Sequence, residues 1–390
     1  MENSPDAELD QFVYWIWAVC GSIVCAIGFV GNSMTVYVIL FSWLYKRKEW
    51  LSFVPSRTSS TRKRTETLSE SLESKFSATY EVEKHTIVSR RDLKLKKFGR
   101  SAAAVFLFGL AIFDNLVLVT FLRCFSLRHW FSNNSKCSAI CENFESSEEV
   151  YKCFADCEDE NLHRVYVVAL VAHTGVVLTT VTFTVERYLA VKYPLQRFIG
   201  LIGNRERAIF IMGVVTLLSI LYNIPRMMER IKWTENQDKH GMFASSEKYK
   251  FWYKKVIYTV FMFIIPCLIL LILNIRLMLM VRKPRERKIR NDKHPNKIAI
   301  IRKSNRHSNH MTILVISVVS VFLISQSLIL ADEVLSLFSD PGEEDRVKPF
   351  SVIAQVMAPI NSASNFFLYC CISRPFRQAF ILSLSTFKIG

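Results

Sequence analysis

The chain has 390 residues, 51% of them apolar, and its 50 Lys and Arg outnumber its 34 Asp and Glu to give a formal net charge of +16. The charges are segregated: only Asp114 and Arg276 fall inside seven long, otherwise uncharged stretches. That pattern excludes a disordered, collagen-like or ordinary soluble chain.

In chain order the stretches are 12–41, 102–122, 165–185, 208–224, 256–281, 312–331 and 350–371. Each is close to the roughly 20 apolar residues that a helix needs to cross a bilayer. None alternates with the period of two that a membrane β-barrel requires. The expected architecture is an all-α membrane protein, a seven-transmembrane helix bundle forming one domain over residues 1–390. The first stretch is too long for a signal-peptide core and follows acidic residues, so it reads as a retained span. Between the first two spans, residues 42–100 are long, rich in Ser and Thr and mixed in charge, which predicts a disordered cytoplasmic insertion. Residues 123–164 form a Cys-containing outer loop with a glycosylation triplet at Asn133. Beyond the seventh span, Phe376, Phe380, Leu384 and Phe387 recur at helical spacing and predict a short amphipathic eighth helix on the inner membrane surface.

Loop charges orient the bundle. With the amino terminus outside, the inner segments carry 34 Lys and Arg against 11 acids, and the outer ones 15 against 22. The excess of positive charge inside predicts a multi-pass plasma-membrane protein with an extracellular amino terminus and a cytoplasmic carboxyl terminus. The basic run at 282–288 then reads as a juxtamembrane cluster beside anionic lipid, so the bilayer is a partner and nucleic acid is not.

Polar groups inside spans are costly and face the bundle interior. Asp114 is the lone acid, and Asn32, Asn361, Ser362 and Asn365 are its natural partners. Interhelical bonds that serve packing alone are one reading. A hydrated polar core that rearranges, with room for a sodium ion near Asp114, is the other. At the inner end of the third span, Glu186-Arg187-Tyr188 places an Arg at the cytoplasmic rim, shortly before Pro194 ends the helix.

These motifs resemble the rhodopsin-like (class A) G-protein-coupled receptors. Gly31-Asn32, Leu110-Ala111-Ile112-Phe113-Asp114, Glu186-Arg187-Tyr188, Pro266, and Asn365-Phe366-Phe367-Leu368-Tyr369 fall in order on the matching spans. The runs His173-Thr174-Gly175, Tyr222-Asn223-Ile224-Pro225-Arg226 and Asn274-Ile275-Arg276-Leu277 resemble invertebrate FMRFamide-type neuropeptide receptors. The resemblance implies a receptor for a short amidated peptide, with a heterotrimeric G protein and arrestin as partners. It assigns coupling and activation to Glu186, Arg187, Tyr188, Asn365 and Tyr369. Ala169, His173, Gln326, Asp332, Glu333 and Gln355 are the corresponding ligand-binding candidates.

Departures from the family pattern are equally specific. Leu162 stands where the third span usually carries a Cys, and Gln326 and Leu328 replace the Trp and Pro of the sixth span. Ala169 replaces the acid of amine receptors, and Pro359 replaces the Lys of opsins. The inner end of the sixth span offers His307, Ser308 and His310 but no acid to pair with Arg187. In the outer loop, Cys137 and Cys141, then Cys153 and Cys157, each share one helical face at i, i+4. An antiparallel helical hairpin selects Cys137–Cys157 and Cys141–Cys153 from three connectivities. A zinc site and four unpaired thiols are the alternatives.

An enzyme is not expected: no metal, phosphate-loop or nucleophile motif occurs, and no cofactor is implied. An ion-coupled transporter using Asp114 is the remote alternative, since neither internal repeats nor further intramembrane charges appear. A receptor for another peptide or for a non-peptide ligand is the nearer one.

Overall fold

The computed structural model describes residues 11–44, 98–123, 160–193, 203–228, 250–282, 295–338 and 344–387. Asn133, the four loop cysteines and nearly all of the 42–100 insertion lie outside the described residues.

Eight helices follow one another: α1 (Gln11–Leu44), α2 (Ala102–Phe121), α3 (Glu160–Lys192), α4 (Arg205–Met228), α5 (Lys250–Ile257, Val260–Ile264 and Ile265–Arg282), α6 (Pro295–Phe338), α7 (Glu344–Ile372) and α8 (Arg374–Phe387). Helices are the expected answer in lipid, because every backbone N–H and C=O must be paired within its own segment. Side-chain hydroxyls obey the same rule. Thr174, Thr180 and Thr184 of α3 donate to carbonyls four residues back at 2.8, 2.8 and 2.6 Å, and Ser219 of α4 does so at 2.8 Å. Pro266 lies at the start of the regular part of α5, directly after wide π-type turns that accommodate the hydrogen bond its ring cannot make.

α1 to α6 are long and apolar enough to cross a membrane. α7 falls below that level because it carries Asn361, Ser362 and Asn365, all buried in the bundle. It packs against α1, α2 and α6, which closes the ring, while α3 touches α2, α4, α5 and α6 from the middle. α2 is the most enclosed helix. Its start at Ala102-Ala103-Ala104 is fully packed and capped by Ser101, whose Oγ accepts from the Ala104 N–H at 3.3 Å. Phe106 stacks on Phe183 of α3 with ring centres 5.5 Å apart.

α3 and α6 run well past the apolar stretches 165–185 and 312–331, because helical hydrogen bonding continues where hydropathy falls. The eighth helix forms as expected. Phe376, Ala379 and Ser383 are the buried positions, while Leu384 is 43% and Ile381 64% exposed. Phe376 is held by edge-to-face contacts with Tyr369 and Phe98 at 5.7 and 6.4 Å, and these aromatic contacts set the face that docks.

Between α1 and α2 the ends of the long insertion are tied together. The Trp43 indole N–H donates to the Gly99 carbonyl at 2.7 Å. A side chain at Gly99 would stand 2.6 Å from Ser42 Oγ and 2.9 Å from its carbonyl oxygen, so only glycine permits this approach.

Candidate functional site

Two regions collect the polar residues of the bundle. The first is the core between α1, α2 and α7. Asp114 is completely buried, and the Asn365 amide donates to its Oδ2 at 2.7 Å. Asn32 does not bond Asp114 directly, contrary to expectation. Its amide donates to the Ser362 backbone carbonyl at 3.0 Å. Asn361 and Ser362 are buried in the same layer. Asp114 Oδ1, Asn32 Oδ1 and the Tyr369 hydroxyl have no hydrogen-bond partner among the described residues. Buried oxygens of that kind invite water or a cation, because an unmet polar group in a low-dielectric interior is expensive. No cluster of three or more His, Cys, Asp or Glu occurs among the described residues, so a transition-metal site is not supported there.

This core continues to the end of the bundle read as cytoplasmic. Arg187 is 5% exposed, pairs through Nε with Glu186, and lies 5.8 Å from the centre of the Phe183 ring. Phe183 in turn stacks on Phe106 of α2. Arg187 is therefore packed under the bundle rather than extended into water. Its neighbour Tyr188 is half-buried and is met by a hydrogen bond from Arg276 of α5. The sequence marks Arg276 as an unexplained intramembrane charge, and the structure supplies its partner. Only the relative rotation of α3 and α5 could have revealed that pairing. The described part of α6 near this end is backbone alone, so His307, Ser308 and His310 stand outside the described side chains.

The second region is the opposite mouth. His173 of α3 faces Phe263 of α5, ring centres 6.2 Å apart, and Phe263 meets Tyr258 edge-on at 5.7 Å. The Arg226 guanidinium of α4 lies 5.7 Å from the Tyr258 ring centre, and Tyr166 and Glu333 are within electrostatic reach of the same tyrosine. Tyr253 donates to the Tyr222 carbonyl at 2.5 Å, linking α5 to α4. Asp332 of α6 accepts from the Ser351 hydroxyl of α7. Gln326 is 1% exposed with Oε1 unpartnered, deep below this mouth. Ala169 and Gln355 are half-buried on α3 and α7. The aromatic residues Tyr222, Tyr253 and Tyr258 are not among the sequence-derived candidates. Their signal was faint, since a Tyr near a membrane boundary is ordinary on its own.

Further polar ties cross the bundle between the two regions. Asn223 of α4 donates to Thr174 of α3 at 3.0 Å, and Asn274 of α5 to Ser320 of α6 at 3.3 Å. Both asparagines lie in runs that carry the neuropeptide-receptor resemblance.

Comparison with known proteins agrees with this arrangement. The family model described as 7 transmembrane receptor (rhodopsin family) matches residues 161–369. The chain is 26% identical over 227 residues to the FMRFamide receptor of Drosophila melanogaster, a match covering 56% of this chain and 38% of that protein. It is 25% identical over 229 residues to the Sex peptide receptor of the same organism, covering 53% and 51%. The chain thus spans about half the length of the curated relatives it matches, or less.

Proposed function

The chain belongs to the rhodopsin family of seven-transmembrane receptors, and from that premise we propose that it is a plasma-membrane receptor for a short peptide, amidated and FMRFamide-like, that signals to heterotrimeric G proteins. Membership in a receptor family argues against an enzyme. Two relatives whose names specify peptide ligands support the ligand class. The chemistry of the mouth suits it: tyrosine and phenylalanine rings for apolar side chains, with Asp332 and Glu333 for a basic residue such as Arg.

The observation that carries the mechanism is the Asn365–Asp114 bond, a direct polar tie between α7 and α2 in the middle of the bundle. A peptide that draws the outer ends of α5, α6 and α7 together strains this tie, and the unpartnered oxygens around it offer alternative bonds at small cost. The resulting shift of α7 loosens the packing that holds Arg187 under the bundle. Arg187 then leaves Glu186 and meets the G protein at the inner face. Asn365 and Tyr369 move with α7, and Tyr188 holds α3 to α5 through Arg276 during the change. Asp114 Oδ1 and Asn32 Oδ1 are hard oxygen donors of the type that a sodium ion accepts, and such an ion would favour the resting arrangement. Arrestin would use the same inner face. The amino terminus is outside and the carboxyl terminus inside in this reading.

The test is a screen of amidated peptides against cells expressing the full chain, read as nucleotide exchange on purified G proteins in their membranes. Exchange that depends on peptide supports the receptor reading. Peptide-independent ion flux with no exchange would replace it with transport.

A further inference from the structure

One corner of the rim assigned to the cytoplasm is built from three helix ends: the end of α1 at Trp43, the start of α2 after Ser101 and the start of α4 at Arg205. The Arg205 guanidinium lies over the Trp43 indole, its Cζ 4.7 Å from the ring centre. Trp43 is itself fixed by its bond to Gly99, and its ring packs on Phe108 with centres 4.9 Å apart. The next residue after Gly99 is Arg100, which is exposed. A fixed platform thus carries one guanidinium, and a second basic residue follows directly on the Gly99 that fixes it.

Neither charge is answered among the described residues. Arg205 Nε is buried there with no hydrogen-bond partner, and no acid among them is paired with Arg205 or Arg100. Glu206, the adjacent acid, is exposed, and its backbone N–H is occupied by the Asn204 side chain at 3.2 Å. Contact with an indole holds the guanidinium in place without using its N–H donors, which leaves them for a bidentate acceptor. Both α2 and α4 begin at this corner, and their positive ends add to the field. Tryptophan marks the level at which headgroups meet the hydrocarbon. An acceptor at that level is a lipid phosphate. Two guanidinium groups favour a headgroup with net negative charge over one whose phosphate is already balanced by an ammonium.

We propose that Arg205 and Arg100, on the Trp43 platform, form a binding site for the phosphate of an anionic phospholipid in the leaflet that this rim meets. The site joins α1, α2 and α4 through the headgroup, and it does not depend on which ligand the outer mouth receives.

Native mass spectrometry of the full chain, released from micelles doped with phosphatidylglycerol or with phosphatidylcholine, reads the retained lipid directly. The expected result is selective retention of phosphatidylglycerol, reduced roughly fivefold by Arg205→Gln and again by Arg100→Gln, the worth of one basic residue at a membrane surface. Arg205→Lys keeps the charge but loses the guanidinium, and is expected to retain an intermediate amount. That variant and Arg100→Gln decide the matter if Arg205→Gln does not fold. Lys192→Gln, which removes a cation packed on Tyr188 and Tyr193 at the end of α3, is expected to change nothing. The proposal is overturned if phosphatidylcholine is retained equally, if the Arg variants bind as the parent does, or if Lys192→Gln costs as much as they do. Complete displacement by millimolar inorganic phosphate would make the corner a free-phosphate site and overturn the lipid assignment.

Discussion

Gly28 is a point of close approach between α1 and α7, and replacing it with Ala separates the two helices. A Cβ there would stand 2.6 Å from the Ala363 Cβ, 2.8 Å from a Leu118 methyl and 2.9 Å from the Ala363 Cα. Ordinary carbon contacts are about 3.5–4.0 Å, so the clash is on the order of 1 Å. Because one of the atoms is backbone, no side-chain rotation relieves it and the helices must part. Overpacking of this kind costs about 1–3 kcal/mol. Alanine's better helix propensity returns roughly 0.5–1 kcal/mol. Gly213 on α4 supplies the control, since nothing lies within 4 Å of a Cβ placed there. Gly213→Ala should therefore show the propensity gain alone, and the two variants should differ by about 1–3 kcal/mol in favour of Gly213→Ala. Asn32 lies one turn from Gly28, and Ser362 adjoins Ala363, so the same displacement stretches the 3.0 Å Asn32–Ser362 bond. Thermal unfolding of both variants, purified in one detergent, measures the difference. If Gly28→Ala melts at or above Gly213→Ala, the close packing of α1 on α7 is wrong.

Three further outcomes follow from the polar groups. Arg187→Ala should reduce agonist-driven nucleotide exchange to the basal level while surface expression, measured on the same cells, stays within about twofold; undiminished exchange refutes its coupling role. Asp114→Asn keeps an acceptor for Asn365 but removes the charge, and should change maximal agonist response more than expression; lost expression with an unchanged response per surface receptor points to packing alone. Proteolysis of the non-reduced receptor, followed by mass spectrometry, should yield peptides joined through Cys137–Cys157 and Cys141–Cys153, and recovery of a Cys137–Cys141 link overturns the hairpin arrangement.

Much of the architecture was legible because lipid imposes a coarse rule on sequence. Charges cannot enter the spans freely, so their absence marks each helix, and the exceptions mark what faces inward. Asp114 and Asn365 stood out on that basis, and they are bonded to each other. Other partner choices were not legible. Asn32 can satisfy itself on any nearby acceptor, and which one it takes depends on the rotation of α1 against α7. Arg276 and Tyr188 meet for a similar geometric reason, with no trace in either segment alone. The apolar spacing of α8 was legible, but this helix has two apolar sides. Helical spacing cannot say which of them meets the bundle and which meets lipid. At the mouth, aromatic residues at span ends look alike in sequence, and only their convergence around Tyr258 distinguishes them.

The tie between Trp43 and Gly99 brings the end of α1 to the start of α2, so the chain returns at Gly99 to the place it left after Leu44. The helices on either side then take their register from each other and not from the length of what joins them. Once such a neck is formed, doubling the chain beyond it adds only roughly 0.6 kcal/mol of closure entropy. A change of length between these two tied ends is accordingly expected to leave the register of α1 and α2 undisturbed. Replacing Trp43 would remove that latitude, because changes of length would then pull directly on α1 and α2.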